Sequence, residues 1–452
     1  MLQQELLNKY NVPVPRYTSY PTVPYWDGAI DADRWELNFQ EQFRKGNGQG
    51  ISLYLHLPFC ESLCTYCGCN KKITTNHNVE QPYIAAILKE WELYREMMHE
   101  KPLLRELHIG GGTPTFFSPQ HLEQLVLGII DNCVLHPEYE FGIEGHPNNT
   151  TAEQLEALYK LGFRRISYGV QDNDPIVQQA INRIQAFEQV QAAMENARDA
   201  GFTSVNFDLI YGLPFQAKDS IERTIMQSIS LRPDRVAFYS YAHVPWTSRG
   251  QRLFDERNLP DAQLKMELYR TGKELFEQHG YRDIGMDHFA LPGDELYKAQ
   301  QEQRLHRNFM GYTTQRSAIL LGLGVSAISD TGNAFAQNEK TLHEYYRQVE
   351  RGLPAVHRGY FLDEEDKHFR RYILDVMCMG KTGFAAQDMH ILEEYSFPQL
   401  EEMEADGLLH FDHEGLRVTD IGHSFLRNIC SAFDLHLQRK QCMKEQAFSK
   451  AV

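Results

Sequence analysis

The sequence predicts an α/β protein. Parallel β/α units close, or nearly close, into a barrel, with an extended arm before it and a small, mainly helical, winged-helix-like unit after it. Three observations carry this expectation. Apolar segments of period two alternate with helical stretches from residue 51 to residue 329, the pattern of parallel strands joined by crossover helices. Glycines and polar residues gather where those segments end, which in a barrel is the functional face. From Asp363 the texture changes to acidic helical stretches around a Gly-containing hairpin. The expected division is an N-terminal arm over 1–45, a barrel over 46–350, and a lid or packing domain over 351–452.

In chain order, PRYTSYP (Pro15 to Pro21) reads as an extended, proline-bounded aromatic arm, suited either to wrapping the body or to covering a site. ISLYLHL (51–57) places apolar residues at odd positions and Ser52, Tyr54 and His56 at even ones, a strand pattern. Gln81 to His99 carries Tyr83, Ile84, Ile87, Leu88, Trp91 and Tyr94 at helical spacing, and RELHIGGGTPT follows as a strand ending in glycines. FGIEGHP, RRISYGVQD, TSVNFDLIYGLP, DRVAFYSYAHVP, YRDIGMDHFA and AILLGLGVSAIS continue the series. Gly322, Gly324 and Ala327 stand in dinucleotide-fingerprint spacing, but without a βαβ unit or a following acidic residue they read as glycines that let backbone approach a flat ligand.

Charge narrows the classes. Asp plus Glu number 61 against 45 Lys plus Arg, a net charge of −16, which disfavours nucleic acid and anionic membranes as partners. The longest apolar stretch, Ser317 to Ser329, is too short and too rich in Gly and Ser to span a bilayer. Met1 to Tyr10 lacks the layout of a secretory signal, so the cytoplasm is the expected location.

Cysteine placement is the first chemical signal. Cys60, Cys64, Cys67 and Cys69 form CxxxCxxCxC, whereas Cys133, Cys378, Cys430 and Cys442 are scattered singly. So tight a cluster in a long chain reads as metal or redox chemistry rather than a disulfide framework. Three thiolates on one loop suit a [4Fe–4S] cube whose fourth iron stays open to a small molecule. Structural zinc and a strained disulfide are the alternatives left open by spacing alone. Cys69, one residue beyond Cys67, reads as a thiol acting beside the cube. Gly110 to Thr113, Glu144, Gln171, Asp172, Asp208, His243, Asp287 and His288 fall at or near strand ends, where polar groups from different strands would converge on one mouth.

CxxxCxxC after a YLHLPF strand, with GGTPT one β/α unit later, resembles the radical S-adenosylmethionine (SAM) superfamily. PRYTSYP, CxxxCxxCxC, LIYGLP, YAHVP, GMDHFA, LHRNFMGYTTQ and GVSAIS together resemble the oxygen-independent coproporphyrinogen III oxidases of that superfamily, from the arm to the last domain. The resemblance implies a radical SAM partial or near-closed barrel with a [4Fe–4S] cluster and SAM as cofactors. The implied reaction starts when an electron cleaves SAM to a 5′-deoxyadenosyl radical. Propionates on the A and B rings of coproporphyrinogen III then become vinyl groups, giving protoporphyrinogen IX.

By the same resemblance, Cys60, Cys64 and Cys67 bind the cluster and Cys69 is catalytic. Tyr54, Tyr66, Gly111, Gly112, Thr113, Glu144, Gln171, Arg183, Asp208, Ala242 and Ile328 contact SAM, in a site that resembles one holding two SAM molecules. His146 departs from the usual pattern after Glu144. An electron donor of flavodoxin or ferredoxin type, an unidentified terminal acceptor and a monomeric state are the implied partners, with neither nucleic acid nor membrane. Arg16, Arg249, Arg307 and His306 are nominated for the substrate propionates. The competing reading is a haem-binding chaperone on the same fold, whose relatives typically lack both Cys69 and the arm.

Overall fold

A computed structural model of the chain describes residues 3–26, 28–246 and 248–439; Cys442 lies outside them. The barrel begins with β1 (Ile51–Leu57), followed by two short paired strands, β2 (Phe59–Cys60) and β3 (Lys72–Ile73), which bracket the cysteine loop. Next come β4 (Leu103–Gly111), β5 (Val134–Gly145), β6 (Arg165–Gln171), β7 (Ser204–Tyr211) and β8 (Arg235–Ser240). A hairpin of β9 (Arg282–Gly285) and β10 (His288–Ala290) precedes a second one, β11 (His306–Asn308) and β12 (Gly311–Thr313). Then follow β13 (Ile319–Leu323), β14 (Ile328–Asp330), β15 (Ala334–Asn338) and β16 (Val356–Phe361).

These strands, apart from the short pair and the second hairpin, form one twelve-stranded sheet in the order β16-β15-β14-β13-β1-β4-β5-β6-β7-β8-β10-β9. From β13 to β8 every neighbour is parallel. The predicted parallel β/α series is present, but its last two members differ. YRDIGMDHFA breaks at Met286 (φ 49°) into the β9–β10 hairpin, and AILLGLGVSAIS breaks at Gly324 (φ 98°) and Ser326 (φ 59°) into β13 and an antiparallel β14. Left-handed residues end a strand because its ladder cannot continue through them. The sheet edges are therefore antiparallel.

Gly322 and Gly324 also serve a purpose other than the one expected. A methyl on Gly322 would meet the Ile328 carbonyl oxygen at 2.4 Å, and one on Gly324 the His56 carbonyl and the Tyr83 hydroxyl at 2.7 Å. The close approach that these glycines permit is to the chain's own backbone at Ile328 and His56 and to the Tyr83 hydroxyl.

Helices cover the sheet with apolar stripes. Helix Glu80–Glu96 buries Tyr83, Ile84, Ile87, Trp91 and Tyr94, each contributing about 1.5–3 kcal/mol on burial. Helix Ala32–Gly46 puts Trp35, Phe39 and Phe43 into the same core, and β16 carries the sheet to Phe361. We keep the division into 1–45, 46–350 and 351–452 as a proposal; β16 of the last part still joins the main sheet, and Asp363 caps its first long helix, Glu364–Met379. That unit contains β17 (Lys381–Gly383), β18 (Leu409–Phe411) and β19 (Gly415–Val418) in one small antiparallel sheet, as a winged helix does.

The last unit grips the N-terminal arm. Asn428 Nδ2 donates to the Tyr10 carbonyl at 2.9 Å, Tyr17 hydroxyl to Asp434 Oδ2 at 3.1 Å, and Leu435 N–H to the Tyr20 hydroxyl at 3.1 Å. Arg16 meanwhile reaches the Ser240 carbonyl at the end of β8, at 2.7 Å. The arm both wraps the body and extends to the barrel mouth. Among the described residues, no helix is long and apolar enough to cross a membrane.

Candidate active site

Backbone hydrogen bonds tie the cysteine loop to the glycine run. Gly112 N–H donates to the Leu57 carbonyl (2.8 Å) and Thr113 N–H to that of Phe59 (3.0 Å), so the end of β4 lies against the chain entering the loop. Cys60, Cys64, Cys67 and Cys69 are free thiols. Donors surround them: Thr113 Oγ1 on Cys60 Sγ at 3.3 Å, Arg183 Nη1 on Cys64 Sγ at 3.6 Å, and Lys71 Nζ on the carbonyls of Cys67 and Cys69 at 3.0 and 3.3 Å. A hydrogen bond from Cys69 and the nearby Lys71 ammonium pull the Cys67 thiol down to about 6, and the same shared proton pushes Cys69 up. At Cys67 the setting favours thiolate, the form that binds iron, whereas burial pushes the Cys60 thiol up against the pull of the Thr113 hydroxyl. Among the described residues, no three His, Cys, Asp or Glu side chains converge as a single-ion site requires. A cube takes one thiolate per iron and does not need such convergence.

Bare backbone forms the adjoining wall. A methyl on Gly110 would meet Glu144 Oε1 at 2.7 Å and the Tyr54 ring at 3.0 Å, and one on Gly111 (φ 122°) would meet the His56 ring at 2.9 Å. Glu144 accepts from Gly111 N–H at 3.2 Å and faces His108 Nε2 at 3.3 Å. Burial raises its carboxyl, but the His108 contact and the Gly111 N–H outweigh that and hold it below the ordinary range.

Beyond Glu144, Gln171 ends β6 at φ 67° with its Oε1 buried and unpartnered. Arg183 donates to the Gly169 carbonyl and to Cys64, yet its Nε is likewise buried without a partner. Two unsatisfied polar atoms beside the bare backbone of Gly169, with Arg183 reaching the cysteine loop at Cys64, suit an amino-acid-like ligand with both charges. Asp208 accepts from Ser167 Oγ (3.0 Å) and Asn206 Nδ2 (2.8 Å), and burial, with the Glu144 charge adding, pushes it up to about 7. It sits within β7 rather than at its end, facing a cavity of about 80 Å³ also lined by Glu144, Ser167, Tyr239, His288 and Tyr312.

Tyr66 packs on the cluster of Val177, Ile181, Leu213 and Tyr241. Ile328 enters from the other side, its carbonyl backing Gly322, which pairs with Tyr54 across β13 and β1. Some residues singled out by sequence do not belong to this wall. Asp172 is consumed by bonds from Gln216, Thr224 and the Asp174 N–H, a satisfied structural carboxylate. His243 turns to Glu256 at 3.0 Å, and Arg249 is exposed. His146, held down to about 3 by burial and Arg183, is neutral and accepts from Asn148 N–H.

The structure adds residues that motif reading missed. His56 lies between the Tyr54 hydroxyl (3.2 Å) and the Asn70 carbonyl (2.9 Å); its even position in ISLYLHL, on the face of Tyr54, was the available signal. Gln251, 2% exposed, donates from Nε2 to the carbonyls of Tyr66 and Ala242, both at 3.1 Å, and accepts from Val244 N–H at 2.6 Å. It clamps the cysteine loop to the end of β8. No sequence signal marks it, because the Tyr66 carbonyl it reaches lies 185 residues away in the chain.

The Radical SAM superfamily model matches residues 54–227. Oxygen-independent coproporphyrinogen III oxidase of Pseudomonas aeruginosa is 38% identical over 99% of this chain and 98% of its own length. That of Escherichia coli K12 is 39% identical over 99% and 98%. The solved Escherichia coli coproporphyrinogen III oxidase, described as a radical SAM enzyme, superposes with a TM-score of 0.88 at 37% identity, covering 93% of this chain and 97% of that one. Fold, cysteine loop and full-length similarity agree, and the chain belongs to the oxygen-independent coproporphyrinogen III oxidase family of the radical SAM superfamily.

Proposed function

We propose that this enzyme converts coproporphyrinogen III to protoporphyrinogen IX without oxygen, turning the A and B ring propionates into vinyl groups. The observation that carries the reading is the free three-cysteine loop laid against the bare Gly110–Gly112 backbone, in a chain of which 99% aligns with the Pseudomonas aeruginosa enzyme. When bound, the [4Fe–4S] cluster and SAM supply a carbon-centred radical able to take one hydrogen atom from a propionate β-carbon; CO2 and one electron then leave the substrate.

The chain's own residues position these parts. Cys60, Cys64 and Cys67 hold the cluster, with the Thr113 hydroxyl and the Arg183 guanidinium spreading thiolate charge. Arg183 Nε and Gln171 Oε1 offer a donor and an acceptor to the carboxylate and ammonium ends of SAM, while Glu144, kept ionised by His108, attracts the cationic end. Gly111, Gly112 and Thr113 let backbone approach, Asp208 takes a hydroxyl or amine, and Tyr54, Tyr66, Ala242 and Ile328 form the walls. Cys69, exposed beside the loop, acts as the catalytic thiol. An external one-electron donor of flavodoxin or ferredoxin type, a separate terminal acceptor and a monomeric enzyme complete the proposal.

The test is an anaerobic assay of reconstituted protein with SAM, reductant, coproporphyrinogen III and an electron acceptor, followed by chromatography. Protoporphyrinogen appearing together with 5′-deoxyadenosine is the expected result. Formation of 5′-deoxyadenosine without porphyrin conversion, or tight haem binding without turnover, overturns the assignment and favours the haem chaperone.

A further inference from the structure

Hairpin β11–β12 lies outside the main sheet and pairs His306 with Thr313 and Arg307 with Tyr312. Adjacent strand residues point to opposite faces, and these two diverge accordingly. His306 lines a basic groove with Arg105, Arg316 and Arg370, whereas Arg307 lies over the Tyr312 ring, 4.7 Å from its centroid. Tyr312 lines the same cavity as Asp208, Tyr239 and His288. The two nominated residues therefore cannot hold one carboxylate together.

Arg307 is 6% exposed, and neither its Nε nor its Nη1 finds a hydrogen-bond partner. Among the described residues, no carboxylate pairs with it. The other fully buried arginines differ: Arg235 is paired with Asp294 at 2.7 Å, and Arg427 donates to the Val14 and Pro15 carbonyls. A buried, unpaired guanidinium is costly unless something outside the chain satisfies it. Its neighbour His288 also leaves Nδ1 buried and unpartnered, and burial with the Arg307 and Arg235 charges holds that ring neutral, at about 3. Arg307 does not itself line the cavity, but it adjoins the cavity through Tyr312 and His288, so an unpaired guanidinium stands directly behind those two lining residues, in a chain whose net charge is −16.

We infer that Arg307 binds a carboxylate of the tetrapyrrole substrate, anchoring one propionate beside Tyr312, next to the cavity that Tyr312 and Glu144 both line. The inference rests on the function proposed above. Arg183 is already placed for the SAM carboxylate, which leaves Arg307 to the substrate, and Tyr312 beneath it fixes the plane of the guanidinium. Because a carboxylate of SAM has the same chemistry, the experiment separates the two sources.

Reconstituted wild type, Arg307→Gln, Arg307→Lys and Arg307→Met are compared in three readouts: fluorescence quenching of coproporphyrin III, SAM binding by equilibrium dialysis, and thermal midpoint. Arg307→Gln is expected to weaken porphyrin binding, and raise the KM for coproporphyrinogen III, by about tenfold to a hundredfold. SAM binding should stay unchanged, and Arg307→Lys should recover part of the loss. Arg307→Met should keep or raise the thermal midpoint, since it removes an unpaired buried charge. Porphyrin binding by Arg307→Gln equal to wild type overturns the inference. So does loss of SAM binding in its place, or a lowered midpoint in all three variants, which would mark a structural arginine. If wild type itself neither binds coproporphyrin III nor turns over the reduced substrate, the proposed function fails first, and the wild-type arm alone reveals it.

Discussion

Gly112→Ala should dismantle the cluster seat, while Gly68→Ala in the same loop should leave it whole. A Cβ on Gly112 would stand 2.6 Å from the Pro58 carbonyl oxygen, 2.7 Å from its carbon and 2.9 Å from Cys60 Sγ. Ordinary contact begins near 3.4 Å, so the neighbours must retreat by about 0.8 Å. They are held on both sides: Gly112 N–H bonds to Leu57 at 2.8 Å, Thr113 N–H to Phe59 at 3.0 Å, and Lys72 N–H to Pro58 at 2.7 Å. Overpacking of this kind costs about 1–3 kcal/mol, and weakening one of these bonds about 1 kcal/mol more. The sum, about 2–4 kcal/mol, disfavours the cluster-holding arrangement by about 30-fold or more. A methyl on Gly68 meets nothing within 4 Å. Iron per chain and the cluster absorbance after anaerobic reconstitution measure the difference. Wild-type iron in Gly112→Ala, or equal loss in Gly68→Ala, would refute the steric argument.

Three further outcomes are expected. Cys69→Ala should keep wild-type iron content yet lose turnover; loss of iron would instead make Cys69 a ligand. Asp208 carries a folded-state pKa raised to about 7, so the folded protein holds a proton that the unfolded chain releases from about pH 4 upward. Stability then falls as pH rises through that window, by about 1.4 kcal/mol per unit at most. Asp208→Asn should flatten the fall of thermal midpoint between about pH 5 and pH 7 relative to wild type, and parallel slopes would contradict the assignment. Gln251→Ala strips the Tyr66 and Ala242 carbonyls of a shared donor, costing about 1–3 kcal/mol. Faster protease cleavage within residues 60–70 should report the loosened loop, and an unchanged cleavage rate would deny Gln251 its clamping role.

By itself the sequence determined the features that are local in the chain. Period-two alternation in ISLYLHL defined β1 and the face shared by Tyr54 and His56, the CxxxCxxC spacing defined the cluster loop, and the glycine run after LHI defined the backbone wall. Strand and helix periods, and ligand spacing within one loop, are set by neighbouring residues and are therefore written locally.

Only the tertiary structure decided which charges meet. Glu144 finds His108 from another strand, Gln251 reaches back across 185 residues to Tyr66, and Asp172 is spent on Gln216 and Thr224. The same holds for the antiparallel sheet edges, and for the divergence of His306 and Arg307. A residue type shows what bonds a side chain can make. Whether those bonds are made depends on groups that folding brings from elsewhere, and Arg307 stands out because, among the described residues, no hydrogen-bond partner reaches its Nε or Nη1.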